Sequence, residues 1–482
     1  MSTPGDGRRW EAPALAALAV AALVGFFVYP TYSNYDSLYS LLWGRELLHG
    51  MLPSFEAYRA PTQHPLWVAI CVPLAAFGGA GDRALLGLCV LSFVALVAAM
   101  YRLGRETFGS VVGLVAALLL LSRLDFPFFA ARGYVDIPYL ALVLWAAALE
   151  AARPKRGGAV WVLLTLAGLL RPEAWLLAGV YGLWMAWGKP PGVWLRAGAI
   201  VAVAPVVWAL SDLAVTGDPL YSLNYTTESA ATLGRRQSLS ELPGVTLRYL
   251  AELTKPPVFV AALAGIVLAW RIARERVLVP ATLLVWGVGT FLLVSLRGFS
   301  VINRYVLVAA LALMLFAAVA IAGFSRLPRG HRAVRPWAAG SLLVVLAGIV
   351  YTALTFNPRY VDRELRLRGQ VRHDLTSVLG SARVRAGRAC GPISVPNHKL
   401  VADVRWLTDS GADGVVARSD PAQIARERRG GVGLYVIGGT RFLKHPAYGP
   451  FDQTQDSPSI QVPPPGFRRA TVGRYFSAYV RC

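Results

Sequence analysis

Charge is what this chain has least of. Only 16% of its 482 residues are Asp, Glu, Lys or Arg, and acids are the rarer sign, 27 against 48 Lys and Arg. With 55% hydrophobic residues gathered in blocks rather than at alternating positions, the composition excludes an ordinary soluble domain and points to a membrane protein. No Cys/His set has the spacing of a zinc site, and no Asp-x-Asp stands in the first two polar loops, so a required metal is unsupported although a divalent ion stays open. Internal repeats and low-complexity tracts are missing too, which weighs against a transporter built from inverted halves.

What is there begins with apolar runs. Ala12 to Tyr29, Ala84 to Tyr101, Val193 to Leu210, Val277 to Leu296, Tyr305 to Phe324 and Trp337 to Phe356 are each about 18 to 20 residues, enough to cross ~30 Å of hydrocarbon as a helix. The pattern predicts a mainly α, polytopic bundle of about 11 to 13 helices. The eleven are at 12–30, 83–103, 109–123, 137–152, 158–171, 173–187, 193–213, 257–272, 277–296, 304–324 and 336–356. Pro65 to Phe77 is too short for a comfortable crossing and reads as a half-membrane or surface-lying helix, with a second crossing as the alternative. The runs either side of Arg171-Pro172 form a tight hairpin or one kinked helix.

A net charge of +21 invites nucleic acid, but placement decides otherwise. Arg8/Arg9, Arg102/Arg105, Arg153/Lys155/Arg156, Lys189/Arg196, Arg271/Arg274/Arg276 and Arg326/Arg329/Arg332/Arg335 fall in short connectors and read as cytoplasmic anchors. Nucleic acid is therefore not an expected partner; membrane lipids are. The scheme predicts a plasma-membrane protein with its N-terminus cytoplasmic and its first helix retained rather than cleaved as a signal. It leaves 31–64, 124–136, 216–255 and the short 297–304 facing outward.

After Phe356 the character changes, giving a division into a membrane domain (1–356) and an extracytoplasmic domain (357–482). ISVP, ADVRWLTDSGADG, GVGLYVIGG and FRRATVGRYFSAYVRC alternate apolar cores with Gly and Asp turns, as a small soluble α/β unit would. It carries 20 Lys and Arg against 10 acids, an excess of ten that favours an anionic lipid or glycan surface. Cys71 and Cys89 lie in apolar runs as buried thiols, whereas Cys390 and Cys482, sharing one exported domain, are expected to pair.

The outward loops hold ionisable groups where anchoring has no use for them. In NYDSLYSLLWGRELLHG, Leu38, Tyr39, Leu41, Leu42, Trp43 and Leu48 fall largely on one side of an amphipathic helix lying in the interface. The plainer reading of its Asp36 is an N-cap. Arg132 and Asp136, four apart, stand at the mouth of a helix, and their plainer reading is a cap plus an exposed ion pair worth ~0.3 to 0.5 kcal/mol. Arg171-Pro172-Glu173 and the Arg297/Arg304 pair complete four clusters that suit an anionic, membrane-held ligand.

YSNYDSLYSLLWGRELLHGMLP, then PTQHPLW, ARGYVDIP, LLRPEAWLL and NRYVLV resemble, in order and spacing over about residues 10 to 325, the GT-C superfamily of integral-membrane glycosyltransferases. That family includes the protein O-mannosyltransferases and the aminoarabinose transferase of lipid A. The resemblance implies an enzyme that takes a sugar from a polyprenyl-phosphate donor and passes it, usually with inversion, to an acceptor hydroxyl of a glycan, lipid or protein on the exported side. It maps the catalytic base to Asp36, an HxPL-type segment to His64-Pro65-Leu66 and an RYxxP-like motif to Arg304 and Tyr305. Ser37 stands where many relatives carry a second acid, and Val308 where proline is common.

Chemistry agrees with that mapping. A carboxylate takes the proton of the attacking hydroxyl, and paired arginine donors hold the charge developing on the leaving phosphate. Arg304, Arg132 and Arg171 are the candidates for that clamp, followed by Lys255 and Arg59, with Asp136 orienting an arginine or helping to hold a metal. Tyr35, Tyr39, Trp43, Tyr58 and Tyr134 could stack on sugar or belong to an interfacial belt. A transporter or flippase of a lipid-linked sugar is the alternative.

Overall fold

The computed structural model describes residues 6–232, 238–328, 330–420, 422–423, 430–437 and 463–482. Arg329, part of the 216–255 loop, and Gly438 and Gly439 of the GVGLYVIGG run lie outside the described residues. In chain order the first helices are α1 (Asp6–Val28), α2 (Tyr35–Leu48), α3 (Pro65–Ala75), α4 (Gly81–Phe108), α5 (Ser110–Leu121), α6 (Asp125–Ala131) and α7 (Asp136–Ala152). There follow α8 (Gly158–Leu170), α9 (Glu173–Ala186), α10 (Pro191–Thr216), α11 (Tyr221–Thr232), α12 (Leu242–Thr254), α13 (Pro256–Ala273), α14 (Leu278–Leu296), α15 (Leu307–Ala322) and α16 (Val334–Thr355). The chain closes with α17 (Pro358–Leu379), α18 (Ala382–Gly387), β1 (Ile393–Val395), α19 (Val401–Thr408), β2 (Val415–Ala417), β3 (Gly431–Val436), β4 (Arg468–Val472) and β5 (Phe476–Arg481).

All eleven expected bundle helices form. Among the described residues seven segments, in α1, α4, α10, α13, α14, α15 and α16, are long and apolar enough to cross a membrane. The α5–α6 pair, bent by 61°, makes an eighth if it is one span. This is a multi-pass membrane protein. Helices α7, α8 and α9, of 17, 13 and 14 residues, are shorter than a full crossing. With 11 residues, α3 rises only about 16 Å, half the hydrocarbon depth, so it does not cross. The α8–α9 question resolves as a hairpin: the Trp161 and Tyr181 rings lie 4.8 Å apart and Trp175 Nε1 donates to the Gly168 carbonyl at 2.9 Å. Arg171 makes the turn in an extended conformation (φ −150°, ψ 131°).

The chain divides into two compact units. Met1–Phe26, His64–Trp67 and Gly87–Phe356 form the first; Phe27–Gln63, Val68–Leu86 and Asn357–Cys482 form the second. At the centre of the first is α15, buried along almost its whole length. Its neighbour α13 approaches through Gly265, where an added Cβ would stand 1.9 Å from the Phe316 carbonyl oxygen. With lipid tails as apolar as leucine, such close backbone packing is what holds helices together.

The second unit is built on a five-stranded sheet of order β2-β1-β3-β5-β4. β1 runs parallel to both β2 and β3 (Ile393 opposite Val415 and Val432), and β5 runs antiparallel to β3 and β4 (Leu434 opposite Ala478). Leu367, Val371, Leu375 and Val378, at helical spacing on α17, cover it with Val395, Val432, Leu434 and Phe476 in one core. Cys390 and Cys482 are bonded, their Cα atoms 5.1 Å apart.

Within this unit α2 is buried nearly all round from Ser37 to Gly44, beyond the one-sided pattern of its leucines. Two polar residues explain why. Glu46 accepts from Arg405 of α19 at 2.5 Å, in a pair with side chains 8% and 1% exposed. Arg45 pairs with Asp409 at 2.6 Å. Arg372 of α17 pairs with Asp82, and Tyr58 Oη donates to the Ser419 carbonyl at 3.1 Å.

Burial pushes the half-buried Asp403 carboxyl up to about 6 against the pull of Arg372 and Arg368. A folded pKa above the unfolded one means that the folded state binds the proton more firmly. Stability is therefore full below about pH 4 and falls as pH rises through 6, by about 1 to 3 kcal/mol. Asp403→Asn is expected to remove this slope, read from unfolding transitions between pH 4 and 7; an unchanged slope would place the titration elsewhere.

Candidate functional site

Three breaks between helices deliver a cluster of polar residues in the first unit. Asp136 is the first residue of α7, Arg171 is the extended turn between α8 and α9, and Glu173 opens α9. Arg304 lies in the short 3-10 turn Asn303–Val306 that leads into α15. The expected cap at Asp136 is not what forms. Its two carboxylate oxygens are taken by two arginines, Oδ1 by Arg171 and Oδ2 by Arg304 Nη1 at 3.1 Å. Arg171 also meets Glu173 at 3.0 Å. Asp136 is fully buried and Arg171 and Glu173 nearly so, while the Arg304 side chain keeps 23% of its surface accessible.

Two acids against two guanidiniums make a neutral cluster, and aromatic faces complete it. Arg171 lies over Tyr305 at 5.1 Å and Tyr139 at 5.7 Å, and Arg304 over Tyr134 at 4.9 Å. The other side of Arg132's reach is the same ring, since its guanidinium stands 5.0 Å from Tyr134 and 5.5 Å from Phe128. Tyr134 thus carries two guanidiniums. A cavity of about 10 Å³ lies among Tyr139, Arg171, Glu173, Thr290, Arg304 and Tyr305, the room of about one water. Such a site can receive an anion at the accessible part of Arg304, the guanidinium held in a fixed direction by a carboxylate behind it.

His64 belongs to this neighbourhood. Its ring meets Trp208 edge-on at 5.9 Å, and burial, reinforced by Arg171, pushes its pKa down to about 3, so the imidazole is neutral. Lys255 joins a different group: it links α12 to α13 at φ 74°, and burial and then Arg123 lower its pKa. Arg123 itself pairs with Asp125 at 2.5 Å. Among the described residues no group of three or more His, Cys, Asp and Glu stands close enough to hold a metal.

Asp36 and Arg59 lie in the second unit. Asn34, not Asp36, caps α2, accepting from Ser37 N at 3.1 Å, which leaves Asp36 as the second residue of the first turn. Arg59, at φ 52°, rests over the Tyr58 ring at 5.6 Å, and its carbonyl accepts from Tyr35 Oη at 2.8 Å. Tyr39 and Trp43 are wholly buried and cannot face a sugar. Glu173 entered the sequence reading only as part of its cluster, without a role of its own, and Tyr139 went unassigned although it is one helical turn past Asp136. Thr290, inside an apolar helix, gave no signal.

No protein-family model matches the chain, and no curated protein matches it. Solved structures do. The crystal structure of ArnT from Cupriavidus metallidurans bound to undecaprenyl phosphate superposes with a TM-score of 0.58 at 14% identity, covering 97% of this chain and 98% of that one. The chain has the GT-C fold. The archaeal oligosaccharyltransferase AglB from Archaeoglobus fulgidus, in complex with an inhibitory peptide and a dolichol-phosphate, shares it at a TM-score of 0.54 and 12% identity, over 94% of this chain and 72% of that one. The GT-C fold was thus legible in the motifs, and of their charged residues Asp136, Arg171, Glu173 and Arg304 come together in one cluster.

Proposed function

We propose that this chain is a glycosyltransferase. It transfers a sugar, with inversion, from a polyprenyl-phosphate donor to an acceptor hydroxyl on the extracytoplasmic side of the plasma membrane, in the synthesis of a cell-envelope glycan, glycolipid or glycoprotein. The observation that carries the reading is the pair Arg171 and Arg304 held on one buried carboxylate, Asp136, in a chain with the GT-C fold. The structures of similar fold are bound to undecaprenyl phosphate in ArnT and in complex with a dolichol-phosphate in AglB. In this reading residues 1–356 are the transferase domain and residues 357–482 the extracytoplasmic α/β domain, with the N-terminus cytoplasmic.

The chemistry asks two things of the residues. Asp36 accepts the proton of the acceptor hydroxyl as its oxygen attacks the anomeric carbon. The bond from that carbon to the phosphate oxygen breaks, and its electron pair leaves with the lipid phosphate. Arg304, backed by Asp136, meets the negative charge that develops there, with Arg171 and Arg132 behind it.

The test is transfer in membranes from a panel of radiolabelled polyprenyl-phosphate sugars. One donor is expected to give product, and Arg304→Ala is expected to cut kcat/KM for it about 10²-fold, the scale of losing one oriented donor at a developing anion. The Asp136–Arg171 pair survives that change, so the fold should as well. No product from any donor, with flipping of a lipid-linked sugar instead, would overturn the enzyme reading.

A further inference from the structure

The described part of the C-terminal domain contributes more than a sheet. Its 3-10 turn His398–Leu400, capped by Asn397 Oδ1 accepting from Lys399 N at 3.1 Å, leads directly into α19, the helix that buries Arg405 against Glu46 of α2. The register that this pair fixes brings the turn to the start of α2. There the His398 ring meets Tyr35 edge-on at 5.8 Å and Tyr58 at 6.4 Å. Tyr35 precedes Asp36, their Cα atoms about 3.8 Å apart, and Tyr58 precedes Arg59, whose carbonyl Tyr35 holds. Residues 35, 36, 58, 59 and 398 therefore share one corner of the second unit, and His398 is half-buried.

We propose that His398 is a positioning residue for the acceptor, a saccharide whose ring lies against the His398, Tyr35 and Tyr58 faces while its hydroxyl reaches Asp36. This rests on the transferase reading and deepens it. The proton that Asp36 takes is the acceptor's own, so the acceptor oxygen must come within ~2.6 to 3.2 Å of that carboxylate. Whatever borders Asp36 borders the acceptor. The groups that share this corner with Asp36 include rings and an imidazole, which offer a sugar an apolar face and a hydrogen bond. In the step itself the acceptor O–H gives its proton to Asp36, the new C–O bond forms, and the pair from the broken bond leaves on phosphate. His398 changes neither proton count nor charge; it orients the hydroxyl.

The two fates of the donor separate this role from a structural one. With labelled polyprenyl-phosphate sugar in native membranes, transfer to the resident acceptor and release of free sugar to water are measured in the same reaction. His398→Ala is expected to lower the ratio of transfer to release at least tenfold, with release unchanged or raised, and His398→Gln to restore part of that ratio. Being internal, the ratio is independent of how much protein folds. A fall of both fates together, or a ratio within twofold of the wild type in both variants, would overturn the acceptor role while leaving the transferase standing. A wild-type protein that gives neither fate from any donor would remove the transferase reading and this inference with it.

Discussion

Replacing Asp36 by asparagine is expected to lower sugar transfer about 10³-fold while the protein inserts and folds as before. A positioned general base contributes roughly 10² to 10⁴ in rate, and the amide keeps the shape of the carboxylate without its capacity to take a proton. The structure makes the experiment clean. Had Asp36 been the N-cap of α2, alanine at 36 would cost about 1 kcal/mol of helix stability and blur the result. Asn34 is the cap, through its bond from Ser37 N, so Asp36→Ala leaves the cap in place, and the Asp36 charge in the helix's first turn contributes ~0.3 to 1 kcal/mol. Both variants are therefore expected to lose transfer while retaining their thermal transition. Transfer at more than a tenth of the wild-type rate in Asp36→Asn would move the base elsewhere.

The second large effect is on stability. Arg405→Ala is expected to destabilise the second unit by about 3 to 5 kcal/mol, because it strands Glu46, itself nearly buried, without its countercharge. Ser54 still donates to Glu46 through its N at 2.7 Å and its Oγ at 3.0 Å, but neutral donors do not replace a guanidinium. For a unit of this size the loss lowers Tm by on the order of 10 °C. The double change Arg405→Met with Glu46→Gln, which removes both charges and keeps the bulk, is expected to recover most of it. A Tm within a degree of the wild type in Arg405→Ala would show that the pair does not tie α19 to α2.

Much of this was readable in the sequence, for reasons that differ by residue. The long helices announce themselves because lipid tolerates only an apolar, internally hydrogen-bonded segment. Arg171 and Asp136 stand out because charges at helix ends away from the anchoring connectors need another explanation. The α8–α9 hairpin was left open because Leu170 and Pro172 fit a turn and a kink equally; Trp175 and Tyr181, reaching back to Gly168 and Trp161, decide it. What sequence withheld is pairing at a distance. Nothing local to Glu46 or Arg45 says that their partners stand 359 and 364 residues later, and amphipathic spacing gave α2 one buried side where the structure gives it nearly all. Likewise the capping rule admits both Asn34 and Asp36, and only backbone geometry tells them apart.

The make-up of the second unit has a consequence in time. Its first pieces end at Leu86, yet the strand that sits between β3 and β4, β5, begins only at Phe476. At ~5 to 20 residues per second, a ribosome needs about 20 to 80 s to cover that interval. For most of it, until Arg405 and Asp409 are made, α2 waits with Glu46 and Arg45 unmatched while the intervening helices are threaded into the bilayer. The order of synthesis makes this corner of the protein the last to mature, and a chain stalled before residue 398 holds Tyr35 and Tyr58 without the ring that packs against them.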